Sequence, residues 1–424
     1  MPGRRAALYI ILVICLLLSL WLGHPMFFHL TYLALGTLVL SLAWTWSGVI
    51  WVRAERHTRT RRGQVGRPLE ETIRVRNLSL LPRLWLEVRD HSTLPGHQPG
   101  RVLFNIPPRA VHEWQVRTPC MLRGLYLLGP MTLISGDPFG FFEARRDVAA
   151  VSEVLVYPEV VPIRDFAPLA GRLLGSEAKR QPAQFITPNA AGVREYAPGD
   201  SLNRIHWLST ARRNRLMTKE FEMDPLADVW LVLDNDRRVH PAAIIPAFST
   251  EEHAVKIAAS LAQYFLQRAR AVGFITYAPD RLCIQPDRGE RQLSKILEAL
   301  AMTRASATTS LHDLLSLEAD RFGRATTVVL VTPSTSLRWI HDVRRLDIKG
   351  VRVVVVHLDP ATFSGFFESA PTVGDAAASG GTAGGFDRAE AVVQSLGAAG
   401  VLVYPVRQGD DLSMALSGRP GVGR

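Results

Sequence analysis

Residues 6–22, AALYIILVICLLLSLWL, and 27–52, FFHLTYLALGTLVLSLAWTWSGVIWV, contain no Asp, Glu, Lys or Arg, and neither do the four residues between them. His24 and His29 are the ionisable side chains of this 47-residue stretch that matter near neutrality. A hydrocarbon core about 30 Å thick needs roughly 20 helical residues, with about 17 as the lower limit. The second run therefore spans comfortably and the first just suffices. Gly23, His24 and Pro25 form the turn, and each helix satisfies its own backbone polar groups. Arg4 and Arg5 precede the first run, and Arg53, Arg56, Arg59, Arg61, Arg62 and Arg67 follow the second, so both ends read as cytoplasmic. Trp44, Trp46 and Trp51 cluster at the exit, as in an interfacial belt. A cleaved signal sequence would explain the first run, but no small-x-small site follows Leu22. A buried core hairpin would need an equally apolar partner elsewhere.

Working outward, residues 1–56 are expected to be a membrane anchor with helices at 6–22 and 27–52 in an inner or plasma membrane. Residues 57–160 alternate with period two at 69–75, 84–89, 101–106 and 112–117, between turns rich in Pro, Gly and Asn. This pattern predicts a small antiparallel, sandwich-like β-domain. Residues 123–130, RGLYLLGP, and 137–142, DPFGFF, set turn residues beside aromatics, either for packing at a sheet edge or domain seam or as a peptide-binding edge.

Residues 161–227 are the least periodic part and read as a connecting segment. Here Arg194, Glu195, Tyr196, Pro198, Gly199, Asp200, Arg204, His206, Trp207, Ala211 and Arg212 crowd together. Such a run can be a solvated face, a charge-paired seam, a protein-binding surface or a catalytic cluster.

Residues 228–424 alternate apolar strands (228–233, 272–277, 327–331, 351–357, 401–406) with helices (251–270, 290–302, 310–321, 338–346, 389–396). Uniformly branched strands are expected where helices cover both faces of a parallel sheet. This part is an open α/β domain, interrupted at 361–388 by a Gly/Ala/Ser-rich insertion expected to be flexible. The first strand runs into Asp234, Asn235, Asp236, Arg237 and Arg238 at the sheet edge where ligands of open α/β sheets sit. With a hydroxyl from Thr308, Thr309 or Ser310, Asp234 and Asp236 could offer oxygen ligands to Mg²⁺. No other cofactor is expected.

Net charge is +10, and all but five of the 49 basic residues are Arg, yet no zinc-finger spacing or aromatic-interleaved RNA motif appears, so nucleic acid is not an expected partner. Cys15, Cys120 and Cys283 are too few and too scattered for a disulfide framework or a metal cluster. Phosphate-loop, zinc-protease, nucleophile-elbow and dinucleotide motifs are missing.

The pieces RGLYLLGP, DPFGFF, VREYAPGDSLNRIHWLSTARRNRLMTKEFE (193–222) and VWLVLDND (229–236) resemble the bacterial domain-of-unknown-function 58 family, whose C-terminal half is similar to a von Willebrand factor A domain. The resemblance covers roughly residues 8–360. It implies a membrane hairpin joined to a β-domain and an A-like domain, and a gene neighbourhood shared with MoxR-type AAA+ ATPases. The implied function is a non-enzymatic, membrane-tethered protein-interaction module that acts with such an ATPase in the assembly or maturation of envelope or other complexes. The alternatives are a hydrolytic enzyme built on Glu195, Asp200, Asp234 and Asp236, or a passive envelope component. A complete metal-dependent adhesion site carries Asp-x-Ser-x-Ser, a later Thr and an Asp after the fourth strand. The resemblance places Asp234, Asp236, Arg238, Thr308 or Thr309, and Pro333 at those positions.

Overall fold

The computed structural model describes residues 2–166, 190–196, 205–221, 228–241, 243, 245–324, 326–363 and 383–417. It divides into two compact units, one of residues 1–159 with 297–303, the other of residues 160–296 with 304–424.

The first unit opens with helices α1 (Pro2–Leu22) and α2 (Pro25–Ile50), both long and apolar enough to cross a membrane. Pro25 starts α2, where its missing N–H costs nothing, and His24 Nδ1 accepts from the Met26 amide at 3.3 Å. The second helix ends earlier than its hydropathy implies. Trp51 turns, and Val52 is already the first residue of strand β1 (Val52–Thr58), buried in the β-core.

Nine further strands follow: β2 (Arg62–Gln64), β3 (Pro68–Asn77), β4 (Arg83–Asp90), β5 (Arg101–Ile106), β6 (Val111–Pro119), β7 (Gly124–Leu128), β8 (Met131–Gly136), β9 (Glu143–Val148) and β10 (Ser152–Tyr157). They form sheets β1-β3-β6, β5-β4-β8-β9 and β2-β10-β7, antiparallel except where β2 runs parallel to β10. Alternating burial along β3 turns Ile73 and Val75 toward Leu86, Val88, Met131 and Leu133 of the four-stranded sheet, giving one shared apolar core. Beside it Arg56 pairs with Asp90 and Glu71, and His97 lies 3.1 Å from Glu71, all buried. Arg56 is thus a structural cation and not, as its place in the Arg-rich flank suggests, one that faces lipid headgroups. Arg123 of the RGLYLLGP piece is fully buried and donates to the carbonyls of Leu300 (3.0 Å) and Thr303 (2.9 Å), which belong to this unit.

The second unit contains β11 (Ala190–Glu195), α3 (Trp207–Arg213), β12 (Met217–Phe221), β13 (Val229–Leu233), α4 (Thr250–Gln267), β14 (Val272–Tyr277), β15 (Arg281–Asp287) and α5 (Glu290–Met302), whose residues from 297 are counted in the first unit. It continues with α6 (Leu311–Glu318), β16 (Thr327–Thr332), α7 (Arg338–Ile348), β17 (Arg352–Leu358), α8 (Pro360–Phe363), α9 (Ala383–Ala398), β18 (Leu402–Val406) and α10 (Leu412–Ser417). The main sheet has the order β15-β14-β13-β16-β17-β18, parallel apart from β15. Strands β13 and β16 are buried along their whole length, so each large side chain contributes about 1.5–3 kcal/mol of burial.

Three features depart from the sequence reading. The antiparallel edge strand β15 is absent from it. The aperiodic segment carries real structure: β11 pairs antiparallel with β12, and Phe166 stacks on Tyr404 at 4.8 Å while its amide donates to the Tyr264 hydroxyl. The flanks of the 361–388 insertion are helical in α8 and α9, with Phe363 buried; residues 364–382 lie outside the described residues.

Candidate functional site

Two places bring the singled-out residues together. The first is the end of β13. Sheet order reverses there, with β14 on one side and β16 on the other, so the connections leave in opposite directions and open a crevice at the C-terminal strand ends. Asp234, the residue after β13, is buried. Its Oδ1 accepts from the Asp236 amide at 3.1 Å and its Oδ2 from the Thr332 hydroxyl at 2.7 Å. Burial pushes the carboxyl above the usual carboxylate range, against the opposing pull of the Thr332 hydroxyl, the Asp236 amide and His240.

Asp236 is also buried, but its carboxylate is taken. Arg238 clasps it through Nε at 2.9 and 3.1 Å and Nη2 at 2.8 Å, and Nη2 reaches the Thr308 carbonyl at 3.1 Å. The Arg238 side chain is 66% exposed, so despite its two-pronged geometry solvent screens the pair and it adds little stability. Its effect is occupancy, since a guanidinium fills the cationic position beside Asp236. Thr309 is half-buried next to Ser310, whose hydroxyl is committed to capping α6 by accepting from the Asp313 amide at 3.2 Å. Among the described residues no three His, Cys, Asp or Glu side chains converge as metal ligands.

Sequence reasoning missed the residues that brace this crevice. Thr332 both binds Asp234 and accepts from the Ser334 amide at 2.9 Å. His240 reaches the Asp234 carbonyl at 2.8 Å and the Thr250 hydroxyl at 3.0 Å; because a carbonyl only accepts, Nε2 carries a proton toward it. His357, at the end of β17, meets the Ser334 carbonyl at 3.2 Å. Burial pushes its imidazole down to about 4, against the raising effect of the Ser334 carbonyl. The available signal was positional for Thr332 and His357, which lie at strand ends of the same sheet edge, but not for His240, which comes well after the end of β13.

The second place is the dense motif. Glu195 ends β11 opposite Met217 of β12, and the Tyr196 amide donates to the Leu216 carbonyl at 2.9 Å. His206 starts α3: its Nδ1 accepts from the Ser209 amide at 3.1 Å, and its own amide donates to the Met217 carbonyl at 2.8 Å. The Thr210 hydroxyl accepts from the Met217 amide at 3.0 Å. These bonds fasten one side of the short helix to β12 and leave Trp207 68% and Leu208 62% exposed, with Ala211, Arg212 and Arg213 exposed alongside. Arg215 pairs with Glu195 at 2.9 Å. Arg194 is described only as a strand residue, and Pro198, Gly199, Asp200 and Arg204 lie outside the described residues.

The family described as "Protein of unknown function DUF58" matches residues 192–385, so a domain of that family is present in the chain. The "Uncharacterized protein YeaD" of Bacillus subtilis (strain 168) is 28% identical over 120 residues, 28% of this chain and 27% of the relative; the chain thus spans about a quarter of that protein's length. Among solved structures, the CARDB domain of a Pyrococcus furiosus protein is similar at 13% identity, over 25% of this chain and 91% of that one, with a TM-score of 0.19. Proximal thread matrix protein 1 from the mussel byssus is similar at 14% identity, over 32% and 38%, with a TM-score of 0.24. Likenesses this slight bear on neither fold nor function.

Two predictions follow from the crevice. Millimolar Mg²⁺ leaves the melting temperature of the wild type unchanged but raises that of Arg238→Ser by a few degrees (roughly 2–4 °C), because Asp236 is released to a cation; equal responses in a thermal scan would refute the plugging role of Arg238. The folded pKa of His357, about 4, lies below the unfolded value of 6.5, so the unfolded chain binds the extra proton between them. The contribution is complete above about pH 6.5 and is lost as pH falls toward 4. At about 1.4 kcal/mol per pH unit, His357→Gln should shrink the loss of unfolding free energy between pH 7.5 and 4 by about 3 kcal/mol, as read by urea titration.

Proposed function

We propose that the chain is a membrane-tethered, non-enzymatic protein-interaction module. In this reading α1 and α2 cross the membrane with both chain termini on the cytoplasmic side, and α3 with its flanking strands is the docking face. The observation that carries it is the exposed Trp207–Leu208 pair on a helix whose other side is fastened down. Exposed aromatic and apolar groups rimmed by Arg mark binding surfaces, because Trp and Arg dominate interface energetics while the polar rim excludes water. Arg212 and Arg213 suit a partner with an acidic surface. The family resemblance supplies the partner to test first, a MoxR-type AAA+ ATPase, with assembly or maturation of protein complexes as the shared task.

The chemistry of the crevice supports a binding role over a hydrolytic one. A general acid–base pair needs two carboxylates free to exchange protons with substrate. Here Asp234 is bound to Thr332 and a backbone amide, and Asp236 is held by Arg238. The crevice thus acts as a brace for the strand ends.

The test is binding of the full-length protein in nanodiscs to a purified MoxR-type ATPase from the same genome, by biolayer interferometry. Trp207→Ala and the Arg212→Glu/Arg213→Glu pair should each weaken the complex about tenfold or more, as loss of a hot-spot side chain does, with circular dichroism unchanged. Affinity identical in wild type and both variants would overturn the docking face. No binding by the wild type would overturn this partner.

A further inference from the structure

A helix of 26 residues is about 39 Å long, against a hydrocarbon core of about 30 Å, so α2 has about 9 Å more than a membrane crossing needs. The surplus has a definite place. Apart from Thr31, the buried residues of α2 are Ser41, Thr45, Gly48 and Val49, all in its last ten residues. A Cβ on Gly48 would lie 3.1 Å from the Ser135 hydroxyl of β8. Arg83 Nη1 donates to the Ser47 hydroxyl at 3.0 Å, and Arg146 Nη1 donates to the carbonyls of Val49 (3.0 Å) and Ile50 (2.8 Å). Those carbonyls have no partner within the helix and carry its negative dipole end, so a guanidinium there serves both needs. The last two turns of α2 therefore belong to the β-unit.

The other helix marks where the apolar span stops. Arg5 lies seventeen residues from the end of α1 at Leu22, the same helical distance as Leu42 from the start of α2 at Pro25. At this level Arg5 meets the loop 137–142: its Nε donates to the Phe141 carbonyl, and its guanidinium lies 5.5 Å from the centre of the Phe142 ring.

Two loops of the β-unit extend along this end of the helices, and both are built alike, with a buried polar residue holding an apolar tip outward. Asp137, buried, accepts from the amides of Phe139 (3.0 Å) and Phe142 (2.6 Å), and the tip Phe139 is 51% exposed and stacked on Phe141. Asn77, fully buried, accepts from the amide and hydroxyl of Ser79 and donates to the Leu81 carbonyl at 3.0 Å; the tip Leu80 is 71% exposed. The Leu78 amide of this loop donates to the Trp51 carbonyl at 2.7 Å, tying it directly to the end of α2. Ordered loops that present large apolar side chains to water would be costly, since each such side chain forgoes the gain of burial.

Resting on the membrane reading above, we propose that the loops 78–81 and 137–142 are interfacial feet that seat the β-unit on the lipid bilayer, with Leu80 and Phe139 inserted at the headgroup–acyl boundary. Arg5 marks the headgroup level and the Phe142 ring of the same loop sits beside it, the pairing of cation and aromatic ring that anchors proteins at membrane interfaces. Only about the first eighteen residues of α2 then lie in hydrocarbon, which matches the 18 residues of α1 from Arg5 to Leu22 and explains why two helices of unequal length share one hairpin. The β-unit is held in a fixed pose against the membrane by three attachments: the end of α2 and the two feet.

The test is photocrosslinking of the full-length protein in native membranes, with benzoylphenylalanine replacing one residue at a time and lipid adducts read by mass spectrometry. The positions are Leu33→benzoylphenylalanine in the middle of α2, Leu80→benzoylphenylalanine and Phe139→benzoylphenylalanine at the feet, and Met121→benzoylphenylalanine, exposed past the opposite end of β6. The expected result is lipid adducts at 33, 80 and 139, with about tenfold less at 121. Adducts at 33 but protein adducts or none at 80 and 139 overturn the feet and leave the membrane reading intact. Absence of adducts at 33 overturns the membrane reading itself. Equal adducts at all four positions overturn the assignment of these loops as the seat.

Discussion

The chain passes from helix α2 into strand β1 across one residue, Trp51, and Arg83 and Arg146 bind the last turn of that helix from the β-unit. A helix end that lacks a linker, has its free carbonyls held by the exposed Arg146 and its Ser47 hydroxyl held by the buried Arg83 cannot swivel without breaking charge-assisted hydrogen bonds, each stronger than a neutral one. Everything the first unit does depends on this joint. With it in place the DPFGFF loop meets Arg5 of α1. The joint also gives the β-unit one orientation relative to the proposed membrane.

The second unit is organised by a different constraint, the reversal of strand order at β13. That reversal makes a crevice whether or not anything occupies it, and the residues there close it from within. Asp234 receives a hydroxyl and an amide, His240 ties the end of β13 to the start of α4, His357 ties the end of β17 to the loop after β16, and Arg238 stands beside Asp236. An exposed apolar pair, Trp207 and Leu208, lies on α3, a short helix whose sequence neighbours fasten it to β12.

Much of this was legible in the sequence, for reasons that differ from element to element. The two helices and the five parallel strands announce themselves because an uncharged run of 47 residues and unbroken Val/Leu/Ile runs each have few structural outcomes. Strand β15 did not, because RLCIQPD lies at a sheet edge, is only partly buried and contains Pro286. The strand pair β11–β12 was hidden by the long stretch between its halves and by the turn residues around it. The end of α2 was misplaced by two residues because Val52 is equally apolar as the end of a helix or the start of a buried strand. Asp234 and Asp236 were legible as a site because they follow a strand directly. Thr332, Ser334 and His357 were not, since only the sheet brings them to Asp234 across about a hundred residues of chain. The Arg run after the second helix also hides a division that sequence cannot show: Arg53 is exposed, while Arg56 lies in a buried ionic cluster with Glu71 and Asp90.

The account stands or falls on the rigidity of the α2–β1 joint, and the most direct measurement is amide hydrogen exchange of the full-length protein, in detergent micelles and in nanodiscs. A helix end that belongs to the β-unit opens only with that unit, so residues 45–52 should exchange as slowly as the central strands β3 and β8 in both settings. Exchange of residues 45–52 orders of magnitude faster than those strands would show a hinge where the account requires a joint, and would contradict it.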